Sequence, residues 1–354
     1  MDKLNGVIKK IRPIDREIMK IAQERLDSLT KPKGSLGQLE ELAKKISGIT
    51  GSLSPKLDNK VIVTLAGDHG VVEEGVSAYP QEVTPQMVYN FLSGGAGINV
   101  LARHTGCKVI IVDMGVAKKI KNQKSKIKNF IDKKIKYGTN NMAKERAMSR
   151  EDAVRSIEAG MEVIEEIDNL DILGLGDMGI GNTTSSSAII ACLSGLPVKE
   201  VTGRGTGIDD KTFFRKVKVI EEALSINQPN PKDPIDVLSK VGGFEIGGIA
   251  GCVLKSASLN IPVVIDGFIS TAGALIAYEL APEVREYLIA SHNSQERGHR
   301  VMLERMGLKP LLDLNLCLGE GTGACLGINL AEASIKILTQ MATFESAGVS
   351  KERG

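Results

Sequence analysis

Tryptophan is absent from this 354-residue sequence, and aromatic residues make up only 3% of it. Proteins that bind single-stranded nucleic acid commonly stack bases on aromatic side chains, so this scarcity disfavours that class. The formal net charge is only +2, whereas nucleic-acid-binding domains usually carry a strong positive excess. We therefore expect no nucleic-acid partner.

Residues that commonly ligate metals are also scarce. The sequence has four His and five Cys, and no two cysteines have the CxxC spacing of a zinc site. The cysteines lie among apolar residues or Gly and Ala, which predicts buried thiols in a reducing compartment. We predict no metal site.

Long uninterrupted hydrophobic runs are missing too. The longest mainly apolar region, 246–281, is broken by Lys255, Asn260, Pro262 and Asp266. It predicts buried strand and helix rather than a membrane span. The first nineteen residues are charged throughout, so we expect no secretory signal and a cytoplasmic protein without a membrane partner.

Two kinds of segment alternate along most of the chain. Residues 15–30 and 36–49 have helical spacing of apolar residues. After them, short β-branched runs each end in glycines or small polar residues, and helix-like stretches rich in Ala, Glu, Lys and Leu follow most of them. The runs are KVIVTLAGDHG, CKVIIVDMGV, NLDILGLGDMG, IPVVIDGF and PLLDLNLCLGEGTG. This alternation predicts an α/β fold with a Rossmann-like parallel sheet and helices on both faces.

A lysine-rich stretch, 118–136, interrupts this alternation. It holds nine lysines and a single aromatic residue, Phe130, rather than the repeated interleaving of aromatic residues that nucleic-acid binding favours. A basic run can attract anions, but solvated connecting segments commonly have this composition. We interpret the stretch as a solvated connection.

The chemistry-bearing residues follow the predicted strands. Parallel sheets bind ligands outside the carboxyl ends of their strands, so these residues should converge on one pocket. Three glycine-rich stretches could present backbone N–H groups to an anion, namely 176–187, 202–210 and 319–324. None contains the GK[ST] sequence of a Walker loop. GEGTGA (319–324) fits the dinucleotide fingerprint, which leaves a dinucleotide-dependent oxidoreductase as an alternative.

Carboxylates also follow strands. Asp177, Asp266 and Glu320 could serve in acid–base chemistry or in hydroxyl binding, and the alternative for each is helix capping. For the two aspartates, the sequence favours helix capping and a chemical role equally. It favours capping less for Glu320, because Glu is a poor N-cap residue. Arg215 and Lys216 follow the GRGTG loop and could reach an anion there, or could lie on a solvated helix face.

Eight motifs occur in one order and together resemble one family. They are LTKPKGSLGQLE, AGDHGVVEEGVSAYPQEVT, GGAGINVLAR, GDMGIGNTTSSSA, GRGTGIDD, VIDGFISTAGAL, SHNSQERGH and LGEGTGA. From about residue 29 to 330 the chain resembles the nicotinate-nucleotide–dimethylbenzimidazole phosphoribosyltransferases. A non-catalytic nucleotide-binding protein of the same fold stays an alternative.

The resemblance implies an activity and an architecture. The family transfers the phosphoribosyl group of nicotinate mononucleotide to 5,6-dimethylbenzimidazole, giving α-ribazole 5′-phosphate and nicotinate for the nucleotide loop of cobalamin. It implies a homodimer that needs no metal, and we predict no cofactor. It also implies a large α/β catalytic domain, 31–326, and a small helical domain built from 1–30 and 327–354.

The resemblance further implies which residues form the site. Glu320 is the general base, and Asp177, where many members have glutamate, is a second carboxylate. Ser77, Tyr79 and Gln86 fall in the stretch implied to bind the aromatic base. Residues placed in the same pocket or around the nucleotide are Gly179, Gly205, Lys216, Gly267, Ser294, Gly319 and Gly321.

Overall fold

The computed structural model describes residues 1–120 and 129–350. Within them, one parallel sheet has the strand order β3-β2-β1-β4-β5-β6. The strands are β1 Lys60–Gly67, β2 Lys108–Gly115, β3 Phe130–Asp132, β4 Ile172–Met178, β5 Val263–Ile265 and β6 Leu288–Ala290. This is the strand order of the Rossmann fold, so the predicted fold class is confirmed.

Helices connect and cover these strands. In the described part of the chain they are α1 Asp2–Ile8, α2 Arg16–Ser28, α3 Gln38–Thr50, α4 Val83–Leu92, α5 Gly97–Thr105, α6 Arg150–Glu165, α7 Asn182–Ser194, α8 Val198–Val201, α9 Asp210–Asn227, α10 Pro234–Val241, α11 Phe244–Ser258, α12 Phe268–Leu280, α13 Arg297–Met306, α14 Thr322–Gln340 and α15 Phe344–Ala347. The two predicted N-terminal helices are α2 and α3. Helix α2 begins after Asp15, whose carboxylate accepts the Ile18 N–H at 3.0 Å, as an N-cap should.

Two apolar layers lie on opposite faces of the sheet. Along β1, Val63 and Leu65 belong to one layer and Ile62 and Ala66 to the other, and all four are fully buried. The first layer includes α6, α11 and α12, and the second includes α3, α5 and α14. Burying each aliphatic side chain contributes roughly 1.5–3 kcal/mol. A strand buried on both faces explains why β1 is a continuous apolar run.

The strand predicted before the LGEGTGA motif is wrong. Residues 311–316 are irregular apart from one bridge between Leu312 and His292. Asn315 has a left-handed φ of 56°, which interrupts an extended chain. Leu314 is 50% exposed, so the leucines do not form the buried stripe that their spacing predicted. Two short strands, β3 and β6, were not predicted.

The terminal segments are distributed over both faces of the sheet. Helix α1 packs against α6 and α11, whereas α2 packs against α3 and α14. Helix α14 runs continuously across the predicted domain boundary between 326 and 327. The division into 31–326 and a small domain from 1–30 and 327–354 stays a prediction.

The long apolar region 246–281 forms most of α11, the whole of β5 and α12, largely buried in the first layer. Over residues 1–120 and 129–350, no helix is long and apolar enough to cross a membrane. Of the five cysteines, Cys252 and Cys325 are buried, as predicted, but Cys317 is exposed. The central part of the lysine-rich stretch, 121–128, lies outside the described residues.

Candidate active site

The site lies where the order of the sheet reverses. From β1 the chain continues to β2 and β3 on one side and then returns to β4 on the other side of β1. Open α/β sheets bind ligands at this kind of position. A cavity of about 230 Å³ lies at the end of β4. Six of the predicted site residues line it, namely Tyr79, Asp177, Gly179, Gly205, Gly267 and Gly319.

Three other predicted residues lie just behind this lining. Lys216 Nζ donates a hydrogen bond to Thr183 Oγ1 at 2.8 Å, and Thr183 lines the cavity. Ser77 Oγ lies 3.5 Å from the hydroxyl of Thr206, another lining residue. Ser294 is buried beside Gly267.

The last three predicted residues, Gln86, Glu320 and Gly321, do not line the cavity. Gln86 has an exposed side chain on α4. The same helix is tied to the β4 loop, since the Ile180 N–H donates to Thr84 Oγ1 at 3.1 Å. Glu320 and Gly321 follow the lining residue Gly319 and lead into α14.

Glu320 is held by the N-terminus of α5. Its Oε2 accepts a hydrogen bond from the Ile98 N–H at 3.0 Å. The partial positive charge of a helix N-terminus stabilises an anion placed there. Glu320 itself has a left-handed φ of 64°, which is costly for a residue with a side chain and persists only where its surroundings impose it.

The protonation of Glu320 is set by opposing influences. Burial raises the pKa of its carboxyl above the usual value, and the N–H groups of Ile98 and Gly97 oppose this by stabilising the anion. A carboxylate with a raised pKa is a stronger base than an ordinary one. Glu320 is therefore a stronger base than a fully solvated glutamate.

Asp177 lies deeper at the same site. Its Oδ2 accepts a hydrogen bond from Asn182 Nδ2 at 2.9 Å, while its buried Oδ1 has no hydrogen-bond partner among the described residues. Burial raises the pKa of Asp177 well above its usual value, and the nearby carboxylates of Asp266 and Glu245 raise it further. Asp177 accepts its hydrogen bond from the side chain of Asn182, whereas an N-cap accepts from a backbone N–H. Asp177 is therefore not an ordinary N-cap of α7.

Asp266 follows β5 and caps α14 from a distant part of the chain. It accepts hydrogen bonds from the backbone N–H groups of Gly321, Gly323 and Ala324 at 2.9, 2.6 and 3.1 Å. Burial raises the pKa of Asp266 to about 7, although the hydrogen bonds from these three N–H groups act to lower it. Asp266 does not cap the helix that follows it, α12, whose N-cap is Gly267; it holds the N-terminal amides of α14 instead.

The same contacts exclude the dinucleotide interpretation of 319–324. That fingerprint requires a strand before the glycines and free N–H groups at the helix N-terminus for a pyrophosphate. Here the preceding segment is irregular, and Gly321 and Gly323 already donate to Asp266. A second anion at this position would meet a buried carboxylate.

Lys216 is a buried cation on α9. Burial lowers the pKa of its ammonium group to about 8, and the carboxylate of Glu296 acts in the opposite direction. Its neighbour Arg215 is exposed. The sequence left open whether Arg215 and Lys216 reach an anion or lie on a solvated helix face. The answer differs between them, because only Lys216 points into the protein beside the cavity.

Glu296 is a site residue that the sequence reasoning missed. Its Oε1 accepts the Gly205 N–H at 2.8 Å, its buried Oε2 has no hydrogen-bond partner within the part of the chain that the structure describes, and it lines the cavity. Glu296 lies in the motif SHNSQERGH. Its partner Gly205 lies 91 positions away, so no local signal in the sequence pointed to the pair.

A second missed carboxylate, Glu245, is buried at the start of α11 and close enough to Asp177 to raise the pKa of that residue. His69 links it to α7, with Nε2 2.6 Å from Glu245 Oε1 and Nδ1 2.9 Å from Ser185 Oγ. All three residues are buried. This chain of contacts ties the end of β1 to α7 and α11.

Known proteins share this architecture and sequence over nearly the whole chain. A family model described as phosphoribosyltransferase (DBI_PRT) matches residues 11–349. The nicotinate-nucleotide–dimethylbenzimidazole phosphoribosyltransferase of Geobacter sp. strain M21 is 57% identical over 352 residues, covering 99% of this chain and 100% of the relative. The chain belongs to the nicotinate-nucleotide–dimethylbenzimidazole phosphoribosyltransferase family.

Further members of this family agree. The Geobacter metallireducens protein is 58% identical over 355 residues, with 100% of this chain and 99% of the relative covered. The crystal structure of the Thermus thermophilus phosphoribosyltransferase superposes with a TM-score of 0.89 at 44% identity, covering 96% of this chain and 100% of that one. The family and the enzyme class predicted from the motifs are confirmed, and the chain is a phosphoribosyltransferase.

Proposed function

We propose that this enzyme transfers the 5-phosphoribosyl group of nicotinate mononucleotide to 5,6-dimethylbenzimidazole. The products are α-ribazole 5′-phosphate and nicotinate, for assembly of the cobalamin nucleotide loop. One observation carries this proposal beyond the names of the relatives. A buried carboxylate with a raised pKa, Glu320, directly follows the cavity-lining residues Leu318 and Gly319.

The reaction needs a base and no acid. As the C1′–N bond to nicotinate breaks, its electron pair returns to the pyridinium nitrogen, so the leaving group requires no proton. A benzimidazole nitrogen forms the new bond to C1′ from the opposite face, which converts the β anomer to α. The proton on its other ring nitrogen passes to Glu320. A positioned base of this kind typically contributes about 10²–10⁴ in rate.

The polar end of the cavity supports binding of the nucleotide. Lys216 and Thr183 supply an ammonium and a hydroxyl. Gly205 has no side chain, so its backbone lines the cavity directly. In this proposal they hold the phosphate and ribose, together with Gly267 and Ser294. Phosphate would favour the charged form of Lys216, which burial otherwise disfavours.

The apolar rim supports binding of the aromatic base. Tyr79 and Leu318 line the cavity, yet their side chains are 54% and 61% exposed. A flat base placed between them would bury apolar surface and bring its N–H toward Glu320. Ser77, Gln86, Gly179 and the backbone of Gly319 and Gly321 complete this end in the proposal.

Asp177 has a supporting role in the proposal. Its Oδ1 lies near the Gly319 backbone at the cavity wall. Because its pKa is raised well above the usual value, it can remain protonated and donate a hydrogen bond to substrate. A neutral Asp177 also avoids repulsion with Glu320.

We also propose a cytoplasmic homodimer. Val100 on α5, Leu318 and Tyr79 are apolar residues that are 54%, 61% and 54% exposed. In this proposal, a partner protomer covers part of this exposed apolar surface. Sedimentation equilibrium of the purified protein, with and without substrates, tests the assembly.

One incubation tests the reaction. Purified enzyme with nicotinate mononucleotide and dimethylbenzimidazole should release nicotinate and form α-ribazole 5′-phosphate. Absence of both products would refute the proposal. Product analysis with a mixture of dimethylbenzimidazole, benzimidazole, adenine and phenols then identifies the preferred base.

A further inference from the structure

Two residues on neighbouring strands support the peptide of Glu320. Thr64 on β1 and Gly176 on β4 are partners in the parallel ladder. Thr64 Oγ1 donates a hydrogen bond to the Glu320 carbonyl oxygen at 2.8 Å. A Cβ on Gly176 would lie 2.3 Å from that same oxygen. Thr64 therefore supplies a hydrogen-bond donor, and Gly176, which has no side chain, leaves space for the Glu320 carbonyl.

Thr64 is an unusual residue for its position. It is fully buried in the middle of KVIVTLAG, a strand whose other buried residues are apolar apart from glycine. A buried hydroxyl without a partner destabilises a protein. Its hydrogen bond to Glu320 is made to a residue 256 positions away, so it joins the centre of the sheet to the loop that carries the carboxylate.

The backbone of Glu320 requires such support. Its left-handed conformation is imposed by contacts on both sides of the residue. The carboxylate meets the Ile98 N–H, and the following peptide N–H, from Gly321, meets Asp266. The bond from Thr64 fixes the carbonyl between these two contacts, and with it the direction in which the side chain leaves the loop.

We propose that Thr64 is a positioning residue for Glu320, and that the absence of a side chain at Gly176 is part of the same device. The pair sets the peptide orientation that aims the carboxylate at the nucleophile's proton. This inference rests on the proposed function, in which Glu320 is the base. Thr64 itself would not touch substrate.

Thr64→Val removes the hydroxyl and keeps the shape. We expect kcat to fall by roughly 10- to 100-fold, since a displacement of about 1 Å in a reacting group can cost that much. The KM for nicotinate mononucleotide should stay within about threefold, because the nucleotide end of the cavity is untouched. Thr64→Ser restores the donor and should recover most of the rate.

Thr105→Val is the matched control. Thr105 is also buried, and its hydroxyl donates to a backbone carbonyl, that of Leu101, at 3.0 Å. It lies at the far end of α5 from Glu320. The control should keep kcat near that of wild type even if its melting temperature falls. Equal losses of kcat in both valine variants, or no recovery in Thr64→Ser, would overturn the proposal.

Two glycines of β4 give a second comparison, which does not depend on the hydroxyl. In Gly176→Ala the new Cβ would meet the Glu320 peptide, whereas in Gly174→Ala it would first meet Cδ1 of Ile62, the mobile end of a side chain. We expect a large loss of kcat in Gly176→Ala and a small one in Gly174→Ala. Similar activities in the two variants would contradict the proposed role of the pair.

Hydrogen exchange separates this inference from the proposed function. Amides in 318–324 should exchange faster in Thr64→Val than in wild type or Thr105→Val. The measurement needs no turnover, so it reports on the loop even if the wild-type protein fails to form α-ribazole 5′-phosphate. Unchanged exchange in Thr64→Val would overturn the positioning role, whatever the activity.

Discussion

Oε2 of Glu320 accepts a hydrogen bond from the Ile98 N–H at 3.0 Å, although 222 positions separate the two residues. The contact fixes one carboxylate oxygen on a helix N-terminus. In the proposed function, the other oxygen takes the proton. Anchoring and catalysis can therefore be separated by substitution.

Glu320→Gln keeps a side-chain oxygen that can accept the hydrogen bond from the Ile98 N–H. The amide cannot take the proton from the nucleophile. We expect kcat to fall by about 10²–10⁴-fold with nicotinate mononucleotide binding retained. Glu320→Ala also loses the anchor, so it should lower the melting temperature as well. Steady-state kinetics and thermal unfolding of both variants check this. Near-normal kcat in Glu320→Gln would remove Glu320 from the role of base.

Asp177→Asn should affect both rate and pH dependence. We expect a smaller loss of kcat than in Glu320→Gln. Because the folded-state pKa of Asp177 is raised above its ordinary 3.8, the folded state binds this proton more tightly than the unfolded state. Wild type should therefore lose stability as pH rises through and beyond that ordinary value, and the asparagine variant should lack this contribution.

Melting temperatures over a pH series check the stability part. The difference between Asp177→Asn and wild type should move in favour of the variant as pH increases. A constant difference would show that this carboxyl does not titrate with a raised pKa. A kcat equal to that of wild type would exclude a role for Asp177 in catalysis.

Lys216→Met should weaken binding of nicotinate mononucleotide. A hydrogen bond to a charged group is worth roughly 1.5–3 kcal/mol, or about 10- to 100-fold in KM. Lys218→Met on the same helix is the control, since Lys218 is 76% exposed and pairs with Glu222. Since burial lowers the pKa of Lys216 to about 8, wild-type KM should rise above that pH. Equal KM values for the two variants would contradict this assignment.

Lys31→Met should destabilise the fold. Lys31 Nζ and Glu40 Oε1 form an ion pair at 2.8 Å with side chains only 5% and 4% exposed. Removing one partner of a buried pair typically costs about 3–5 kcal/mol, because the other charge stays buried. Lys44→Met, which breaks the pair with the exposed Glu41 in the same helix, should cost under about 1 kcal/mol. Urea unfolding measures both.

Much of the fold could be predicted because its signals are local. The strands β1 and β2 are rich in β-branched residues and each ends in glycine, so their buried parallel pairing could be predicted from composition. The strand predicted at 311–316 failed for the opposite reason. Its leucines have suitable spacing, but whether Leu314 is buried depends on what packs against it, and the structure leaves it half exposed.

The site was less predictable than the fold. Motif order led to the residues that line the cavity, but it gave no reason to consider Glu296 or Glu245. Their partners, Gly205 and His69, lie 91 and 176 positions away. Spacing along a sequence has no information about such pairs unless the fold is already known.

The sequence by itself determined the α/β fold, the family and the identity of the carboxylate proposed as base. Those depend on patterns and motifs within short segments. Only the tertiary structure decided what surrounds that carboxylate. Glu320 meets Ile98 through its side chain and Thr64 through its backbone because helix α5, strand β1 and the loop before α14 come together at the central strands of the sheet. Convergence of this kind is a property of the packed chain, where residues far apart in sequence fix each other's geometry and pKa values.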